Sequence, residues 1–262
     1  PRSRCATSSD MFATLVLLAA RAAEWTVEEL EQIFQEEGTD KQARDPGHAY
    51  VHAYAMMLGP WRSEVRNILE VGIGSVDRAS EANMRFWWFA MRNYHHVKPE
   101  EKSYQPGASL RSWRRYFPNA RVIGLDIDPK AVARAKVTKG VEAFVANTSA
   151  PESLERLQLP QMDVIVDDGD HRWHAQQETL LALWPLLKPR GYYFMEDANW
   201  TAISHGDAPT SPAARQLLKN AGAFVIHSDA FGRAGLADAK KRDFAAAHAE
   251  AANIVCLMKP SR

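Results

Sequence analysis

The feature that most constrains this chain is a series of short apolar runs, each of which ends at a glycine or a polar residue. Helical patterns separate most of these runs. Apolar strands that alternate with helices are typical of a parallel sheet with helices on both faces. We therefore predict an α/β fold with a mostly parallel central sheet. The predicted strands are residues 67–71, 120–125, 141–145, 162–166 and 192–195, and the predicted helices are residues 108–117, 130–136, 151–157 and 175–187.

Helices are also predicted before the first strand. Thr26 and Glu29 form a capping box, which indicates a helix that ends at Gly38. A second helical pattern covers residues 48–58, so residues 1–64 are interpreted as a helical N-terminal extension. Late in the chain, two apolar runs and the alanine-rich helix between them are residues 224–227, 253–258 and 237–252.

Composition limits the classes of protein to which the chain can belong. The 262 residues are 46% hydrophobic, enough for one sizeable core, and we predict a single domain over residues 1–262. Lys and Arg (32) balance Asp and Glu (32), so nucleic acid is not expected as a partner. Cys5 and Cys256 lie at opposite ends and are too few for a disulfide framework or a thiolate zinc site.

One apolar stretch near the N-terminus, residues 11–23, has the length of a signal-peptide core and follows Arg2 and Arg4. A targeting segment near residues 11–22 is one interpretation, and an N-terminal helix that packs on the domain is the other. The stretch is too short to cross a bilayer as a helix, so no membrane partner is expected. The compartment stays open, with the cytoplasm as the expected location.

A long excursion, residues 75–106, follows the first strand and breaks the alternation of strands and helices. It is rich in aromatic residues, with Phe-Trp-Trp-Phe at 86–89, and it contains His95 and His96. Long excursions in a compact domain are often functional, so a lid or a binding wall is one interpretation. An inserted helix that packs on the core or on a second subunit is the other.

The end of the first predicted strand reads Glu-Val-Gly-Ile-Gly at 70–74. Glycines at this point, Gly72 and Gly74, let the backbone approach a ligand closely. The third glycine of a dinucleotide fingerprint is absent, which counts against nicotinamide and flavin cofactors. Asp126 ends the second strand, where an acid can accept the hydroxyls of a ribose. This combination fits S-adenosylmethionine better than NAD.

Two alternatives stay open for the polar residues around this loop. Asp126 could instead cap the helix that begins near Pro129. Asn147 and Thr148 follow the third strand, where an adenine edge would be recognised, but they could also be purely structural.

The fourth strand ends in Asp-Asp-Gly-Asp-His at 167–171, and the fifth ends in Glu196 and Asp197. Adjacent parallel strands lie about 4.8 Å apart, so their carboxyl ends share one edge of the sheet. Carboxylates that converge there repel one another unless a cation or protons neutralise them. Oxygen ligands favour Mg²⁺, Mn²⁺ or Ca²⁺ over zinc. The sequence therefore predicts a divalent metal site at this edge.

His171 is placed to act as a base beside such a metal, because a neutral imidazole can take a proton from a substrate hydroxyl. The alkoxide would then attack an electrophilic methyl group held at the glycine loop. Three alternatives are open. Asp167 and Asp170 could cap the following helix, His171 could stack on Trp173 or Trp200, and His174 is expected to be solvated or structural.

In their order along the chain, these motifs resemble the class I S-adenosylmethionine-dependent methyltransferases of the macrocin and mycinamicin sugar O-methyltransferase type. The similarity covers roughly residues 38–197. The motifs that carry it are Gly-Thr-Asp-Lys at 38–41, His48, Tyr54, Leu-Glu-Val-Gly-Ile-Gly at 69–74, Pro-Gly-Ala-Ser-Leu-Arg at 106–111, Trp113, Tyr-Phe-Pro-Asn-Ala at 116–120, Gly-Leu-Asp-Ile-Asp at 124–128, Asp-Asp-Gly-Asp-His at 167–171, Glu196 and Asp197.

The resemblance implies a Rossmann-like class I fold, a homo-oligomer, and methyl transfer to a sugar hydroxyl with Mg²⁺ (or Mn²⁺) as the metal. By motif, His171 would be the base, and Asp168, Glu196 and Asp197 would bind the metal. Asp170 stands where this family usually has a serine. The residues expected to face the methyl donor are Glu70, Gly72, Gly74, Ser109, Asp126, Asn147, Thr148 and Asp167.

The sequence therefore predicts a methyltransferase that transfers a methyl group from S-adenosylmethionine to a hydroxyl of a sugar or another polyhydroxylated small molecule. A catechol-like or phenolic acceptor is the first alternative, because vicinal oxygens could chelate the same metal and the aromatic excursion could stack on a ring. A non-catalytic subunit that retains the fold is the second. Metal-dependent hydrolysis at the acidic edge is a third.

Overall fold

The computed structural model of the chain describes residues 26–43, 48–77, 105–198, 209–227 and 253–261. The targeting segment near residues 11–22, the excursion between residues 78 and 104, Trp200 and the predicted helix at 237–252 lie outside these residues.

The centre of the described fold is a seven-stranded sheet. Its strands are β1 Asn67–Val71, β2 Arg121–Asp126, β3 Val141–Val145, β4 Met162–Asp167, β5 Leu187–Met195, β6 Gly222–His227 and β7 Asn253–Met258. Their order across the sheet is β3-β2-β1-β4-β5-β7-β6. The first five strands, β1 to β5, pair with one another in parallel, and β7 is antiparallel to both β5 and β6. The prediction of a mostly parallel sheet is confirmed.

Seven α-helices accompany the sheet in the described residues. They are α1 Val27–Glu37, α2 Val51–Leu58, α3 Ala108–Tyr116, α4 Pro129–Ala135, α5 Pro151–Glu155, α6 Trp173–Leu183 and α7 Pro212–Asn220. The capping box before α1 is confirmed, since the Thr26 side chain accepts a hydrogen bond from the Glu29 N–H at 3.0 Å. Gly38 ends α1 in a left-handed conformation with φ 76°.

Three predicted boundaries were wrong by three residues or more. One is the start of β5, which was predicted at Tyr192 and lies at Leu187. The helix before β5 ends at Leu183 rather than at Leu187, and a 3₁₀ turn, Trp184–Leu186, follows it. Pro185 lies in that turn, lacks the N–H that a continued α-helix would need, and thereby releases Leu187 to begin β5. The second helix begins at Val51 instead of residue 48.

The sequence reading also missed α7. Its start signal is present, because Ser211 precedes a proline and its hydroxyl accepts a hydrogen bond from the Ala214 N–H at 3.2 Å.

Two apolar layers cover the two faces of the sheet. On one face, Leu30 and Phe34 of α1 and Trp113 of α3 pack with strand residues such as Ile68. On the other face, residues of α6 such as Leu180 pack with the strands. The helices that precede β1 therefore share the layer of α3, beside the carboxyl ends of the strands. In the ranges that the structure describes, no helix combines the length and the apolar character needed to span a bilayer.

Candidate active site

The carboxyl ends of β1, β4 and β5 meet at one edge of the sheet. Val71 at the end of β1 pairs with Asp167 of β4, and Asp167 pairs in turn with Met195 at the end of β5. Asp168 and Glu196 therefore leave neighbouring strands at the same level, as predicted. Asp168, Glu196 and Asp197 are named the acidic rim below.

A buried lysine lies among these acids. The Nζ atom of Lys41 is 2.5 Å from Asp168 Oδ2 and 2.7 Å from Glu196 Oε2. The same ammonium group is 3.4 Å from Glu70 Oε1, at the end of β1. Burial disfavours the charged lysine, but the negative charges of Asp168 and Glu196 outweigh burial and raise its pKa well above the usual value. Lys41 is therefore a fixed positive charge on the inner side of the acidic rim.

The chain around Lys41 explains how an ammonium group reaches this buried position. Gly38 turns the chain sharply at the end of α1, and the Lys41 carbonyl accepts a hydrogen bond from the Val51 N–H at 2.9 Å, which ties the loop to the start of α2. The side chain of Lys41 is only 1% exposed. Removing an ammonium group from water is unfavourable unless it meets carboxylates directly, and here it meets three.

Two tyrosines near the start of α2 complete the inner side of the rim. Tyr50 donates a hydrogen bond to Asp197 Oδ1 at 2.7 Å, and its oxygen accepts one from the Asp197 N–H at 3.2 Å. Tyr54 donates a hydrogen bond to Glu196 Oε1. Both oxygens of Glu196 thus contact protein donors, Tyr54 and Lys41. Burial and the neighbouring carboxylates raise the pKa of both tyrosines well above the usual value, so both remain neutral donors.

On the outer side of the rim, Asp168 and Asp197 turn their other oxygens toward His171. The His171 Nε2 atom is 3.9 Å from Asp168 Oδ1 and 3.8 Å from Asp197 Oδ2. One ligand atom from each of these three residues lies within 4.8 Å of the other two. The two carboxylate oxygens suit a divalent ion such as Mg²⁺ or Mn²⁺, whereas an imidazole ligand is more typical of zinc, copper, iron or nickel. The carboxylates therefore fit the predicted metal and leave the His171 nitrogen for the predicted role of base, while the role of Glu196 as a ligand stays a prediction.

The backbone of Asp197 contributes to this arrangement. Its φ is 51°, in the left-handed region that few residues other than glycine adopt and that aspartate tolerates better than most. This turn directly after β5 brings the Asp197 carboxylate toward His171 and Tyr50 at once.

The charged groups of the acidic rim shift one another's pKa values, some upward and some downward. Burial raises the pKa of Asp168, although Lys41 acts against it. Burial also disfavours the Asp197 carboxylate, but His48 and His171 outweigh this effect and lower its pKa. Burial disfavours protonation of His171, yet the charges of Asp197 and Asp168 outweigh burial and raise its pKa. In the ion-free protein, the rim therefore favours a protonated His171.

The glycine loop at the end of β1 touches the acidic rim. Gly72 and Gly74 have φ values of 88° and 92°, which side chains rarely allow. A Cβ atom at Gly72 would lie 1.9 Å from the carbonyl oxygen of Asp168. Contact between these two loops therefore requires glycine at position 72. This requirement is separate from the predicted close approach of a ligand.

Glu70 and Ser109 lie just below this loop and are buried. Glu70 Oε2 accepts a hydrogen bond from Trp113 Nε1 at 2.9 Å, while its other oxygen faces Lys41. Burial raises the pKa of Glu70 to about 7, although Lys41 acts in the opposite direction. Ser109, in the first turn of α3, also hydrogen-bonds the Glu70 side chain. Glu70 thus connects the predicted donor side to the acidic rim through Lys41.

Asp126 organises the glycine loop from the end of β2. Its Oδ2 atom accepts a hydrogen bond from the Ile73 N–H at 2.7 Å, and its Oδ1 atom accepts one from the Asp128 N–H at 2.8 Å. The alternative that Asp126 caps the next helix is wrong, because Asp128 is the cap and accepts a hydrogen bond from the Lys130 N–H at 2.8 Å. Binding of a ribose by Asp126 stays a prediction.

The residues after β3 use their polar atoms within the protein. Asn147 Oδ1 accepts a hydrogen bond from the Ser149 N–H at 3.0 Å. The Thr148 hydroxyl is buried and lies 2.7 Å from the Thr179 hydroxyl of α6. Recognition of an adenine by these two side chains stays a prediction.

The remaining acids of the fourth strand have separate partners. Asp167 is buried and accepts a hydrogen bond from the Tyr193 hydroxyl at 2.9 Å, and burial raises its pKa to about 7. Asp170 pairs with the Arg172 guanidinium and accepts a hydrogen bond from the Arg172 N–H at 3.0 Å, which lowers its pKa to about 2. The alternative that either acid caps α6 is wrong, because Arg172 is the residue at the cap position and neither carboxylate bonds the helix beyond it. Asp170 belongs to an exposed ion pair, and the group of possible ligands around His171 does not include it.

Sequence reasoning gave no role to Lys41, Tyr50 or Tyr54. A signal for the lysine was present, because Glu70 and the acidic rim place more negative charge at one edge than a single divalent ion neutralises. Lys41 also lies three residues after the helix-ending Gly38, where the chain turns toward that edge.

Comparisons with known proteins match this chain to methyltransferases. A family model for a methyltransferase domain matches residues 101–198, which include α3 to β5. The 8-demethyl-8-alpha-L-rhamnosyl tetracenomycin-C 2'-O-methyltransferase of Streptomyces olivaceus is 28% identical over 193 residues, which are 72% of this chain and 44% of that protein. Demethylmacrocin O-methyltransferase of Streptomyces fradiae is 28% identical over 177 residues, 67% of this chain and 38% of that protein. The chain thus spans less than half the length of these curated relatives.

Among solved structures, the MycE methyltransferase from the mycinamycin biosynthetic pathway, in complex with Mg and SAH, matches with a TM-score of 0.57. The identity is 18%, and the match covers 88% of this chain and 55% of that chain. At this identity the match shows the fold, and the predicted class I methyltransferase fold is confirmed. The resemblance to the sugar O-methyltransferase type, first indicated by the motifs, is confirmed by the two curated relatives.

Proposed function

We propose that this chain is an S-adenosylmethionine-dependent O-methyltransferase that methylates a hydroxyl of a sugar or another polyhydroxylated natural product. The observation that carries the proposal is that His171 Nε2 faces Asp168 and Asp197 on a strand edge that the glycine loop of β1 also reaches. Relatives that are named as methyltransferases of glycosylated tetracenomycin and of demethylmacrocin support this acceptor class.

The donor would bind along the ends of β1 and β2. Gly72 and Gly74 add no side chains to the loop, and Asp126 holds that loop through the Ile73 N–H. Because Gly72 contacts the Asp168 backbone, a donor held at the loop would have its methyl group next to the rim. Holding two reactants in line removes much of the entropic barrier to reaction. The other proposed donor residues are Glu70, Ser109, Asn147, Thr148 and Asp167.

A divalent ion, Mg²⁺ or Mn²⁺, would be held by Asp168 and Asp197, with Glu196 as the third predicted ligand. Such an ion would lower the pKa of an acceptor hydroxyl and stabilise the negative charge on its oxygen. The chain's own contribution is to keep these oxygens together, through Lys41 on the inner side and Tyr50 at Asp197.

His171 would accept the proton of the acceptor hydroxyl at Nε2. S-adenosylmethionine would supply the methyl group to the deprotonated acceptor oxygen, and S-adenosylhomocysteine would be the leaving group. His171 must be neutral to accept the proton, so activity should increase as the pH rises through the pKa that His171 has in the ion-bound protein. With 44% of its side chain exposed, the imidazole can reach a bound acceptor.

We further propose that residues 1–262 form a single domain, that the protein is a homo-oligomer and that it is located in the cytoplasm. The aromatic residues 86–89, on which a catechol or phenolic acceptor would stack, lie outside the described residues, so no observation favours that acceptor.

Two measurements test the proposed function. Isothermal titration with S-adenosylmethionine and S-adenosylhomocysteine, each with and without Mg²⁺, should show donor binding. Incubation with a panel of sugars, glycosides and catechols should then give a product whose mass is larger by one methylene unit. Absence of donor binding in all four titrations would contradict the proposal, and a product formed only from catechols would change the acceptor class.

A further inference from the structure

The acidic rim has two sides, and a side-chain nitrogen faces the carboxylates on each side. On the inner side, Lys41 contacts Asp168 Oδ2 and Glu196 Oε2. On the outer side, His171 faces Asp168 Oδ1 and Asp197 Oδ2. Asp168 therefore divides its two oxygens between a resident ammonium group and the outer position where an ion would bind.

We propose that Lys41 is a positioning residue that acts as the resident counter-cation of the acidic rim and weakens the binding of a divalent ion on the outer side. The inference rests on the proposed function only in its use of this rim for an ion. Its argument comes from the contacts of Lys41, to which the sequence reading gave no role.

The first step of the argument is that Lys41 keeps the rim assembled without an ion. Asp168, Glu196 and Glu70 come from the ends of three different strands, and their like charges repel one another. The ammonium group contacts all three. An ion that arrives at the outer side therefore meets carboxylates that are already in place.

The second step is that the same contact limits the affinity for the ion. The ammonium group is 2.5 Å from one oxygen of Asp168, while the ion would use the other oxygen of the same carboxylate. Two cations on one carboxylate repel each other and share its charge. Lys41 also contacts Glu196 Oε2, so this oxygen cannot bind an ion on the outer side as long as the lysine is present.

The third step separates this role from a purely structural one. If Lys41 only stabilised the fold, its removal would loosen the rim and weaken ion binding. If Lys41 competes with the ion for charge, its removal destabilises the ion-free protein but strengthens ion binding. The two roles thus predict opposite changes in the dissociation constant.

The test compares wild type with Lys41→Met, a side chain of similar length without charge. Binding of Mn²⁺ and of Mg²⁺ is measured by isothermal titration, and thermal unfolding is followed with and without each ion. No methyl donor or acceptor is needed. The matched control is Lys188→Met, which removes a lysine that lies 2.7 Å from Asp163 Oδ1 at the opposite end of the sheet.

We expect Lys41→Met to bind Mn²⁺ about tenfold more tightly or better, because a repelling charge within a few ångströms of the ion is removed. Its ion-free melting temperature should fall by about 10 °C, since an unpaired cluster of buried carboxylates remains. Saturating Mn²⁺ should raise the melting temperature of this variant by more than it raises that of wild type. Lys188→Met should bind the ion as wild type does.

Unchanged or weaker ion binding by Lys41→Met would overturn the inference and leave the proposed function standing. If neither protein binds an ion, the inference is overturned and the proposed function loses its metal, while donor binding still tests the rest of it. If Lys41→Met does not fold, the pair Glu196→Gln and Lys41→Met/Glu196→Gln replaces it, since the double variant removes one charge of each sign. The double variant should then bind Mn²⁺ more tightly than Glu196→Gln, and equal or weaker binding would overturn the inference.

Discussion

The two ends of the sheet each contain a lysine bonded to an aspartate at nearly the same distance, yet the two pairs differ in their surroundings. Where the strands start, Lys188 Nζ lies 2.7 Å from Asp163 Oδ1, and the other Asp163 oxygen accepts hydrogen bonds from the N–H groups of Arg66 and Asn67. Where the strands end, Lys41 Nζ lies 2.5 Å from Asp168 Oδ2 and also contacts Glu70 and Glu196.

The difference lies in the balance of charge and in burial. Lys188 is 34% exposed and contacts a single acid, whose remaining oxygen is bonded by backbone donors. Lys41 is 1% exposed and contacts three acids, one of which turns a second oxygen toward His171. A lysine–aspartate distance alone therefore does not distinguish a pair that joins two strands from one that leaves negative charge available for chemistry.

The largest effect is expected for turnover at the strand ends. His171→Ala should reduce the turnover number by about 10²–10⁴, a typical result of losing a general base, while donor binding persists. The measurement is methyl transfer to an acceptor identified in the panel, with donor affinity determined by titration. His174→Ala, one helical turn further along α6 and exposed, is the control and should retain activity. Full activity of His171→Ala would remove this histidine from the mechanism.

A second large effect is expected for stability where the two loops touch. Gly72→Ala should lower the free energy of unfolding by about 3 kcal/mol or more, because the added Cβ meets the Asp168 carbonyl at 1.9 Å and φ is positive. Gly191→Ala, in the middle of β5, would place its Cβ atom no closer than 2.9 Å to any neighbouring atom and should cost about 1–2 kcal/mol. Urea unfolding of both variants measures the difference. Equal costs would show that the loop contact is adaptable.

The pH dependence of stability should have opposite signs at the two ends. Glu70 holds its proton to about pH 7 in the folded protein, against an ordinary pKa of 4.5, because it is buried. The folded state therefore binds more protons than the unfolded state between these values, and its stability falls as pH rises across them. The free energy of unfolding of wild type, minus that of Glu70→Gln, should fall by up to about 3 kcal/mol over this window.

Glu142→Gln is the matched variant near the strand starts. A hydrogen bond from Arg121 lowers the pKa of Glu142, so its contribution is present above the ordinary pKa and is lost as pH falls through the lowered value. The difference between wild type and this variant should therefore stay nearly constant from pH 5 to 7. Denaturant melts at several pH values measure both differences. A constant difference for Glu70→Gln would show that its carboxyl is not desolvated.

The smallest effect is expected for the exposed ion pair at the starts of β2 and β3. Arg121 Nε lies 2.5 Å from Glu142 Oε1, and both side chains are more than 40% exposed. A double-mutant cycle with Arg121→Gln and Glu142→Gln should give a coupling free energy of about 0.5 kcal/mol, which decreases in salt. A coupling of several kcal/mol would mean that the exposure of an ion pair does not explain the difference between the two ends of the sheet.

Much of the fold could be predicted because the apolar runs carry the information directly. The bounds of β1 and β3 agree with the prediction, and the acids that follow β4 and β5 were correctly placed together, since the register of parallel strands follows from the apolar pattern. The end of α6 was wrong because the apolar pattern continues into β5 and only Pro185 marks the break. The helix α7 was missed although Ser211 and Pro212 mark its start.

The site was less predictable than the fold. Carboxylates at strand ends are visible in a sequence, but the partner of each carboxylate comes from a distant part of the chain. Lys41 and Asp168 are separated by 127 positions, and Tyr54 and Glu196 by 142. Periodicity says nothing about such long-range pairs. The backbone turn at Asp197 could not be predicted either, because the residue with the left-handed φ is not a glycine.

The stretch from Gly38 to Tyr54 supplies the ammonium group and both phenol groups that meet the acids at the ends of β4 and β5. The strand pairs of the sheet do not include this stretch, but among the described residues it supplies the buried ammonium group of the acidic edge. Closure of a loop of more than a hundred residues must therefore precede burial of these carboxylates. We expect this edge to be the last part of the sheet to become protected during folding, in the same event that docks α2.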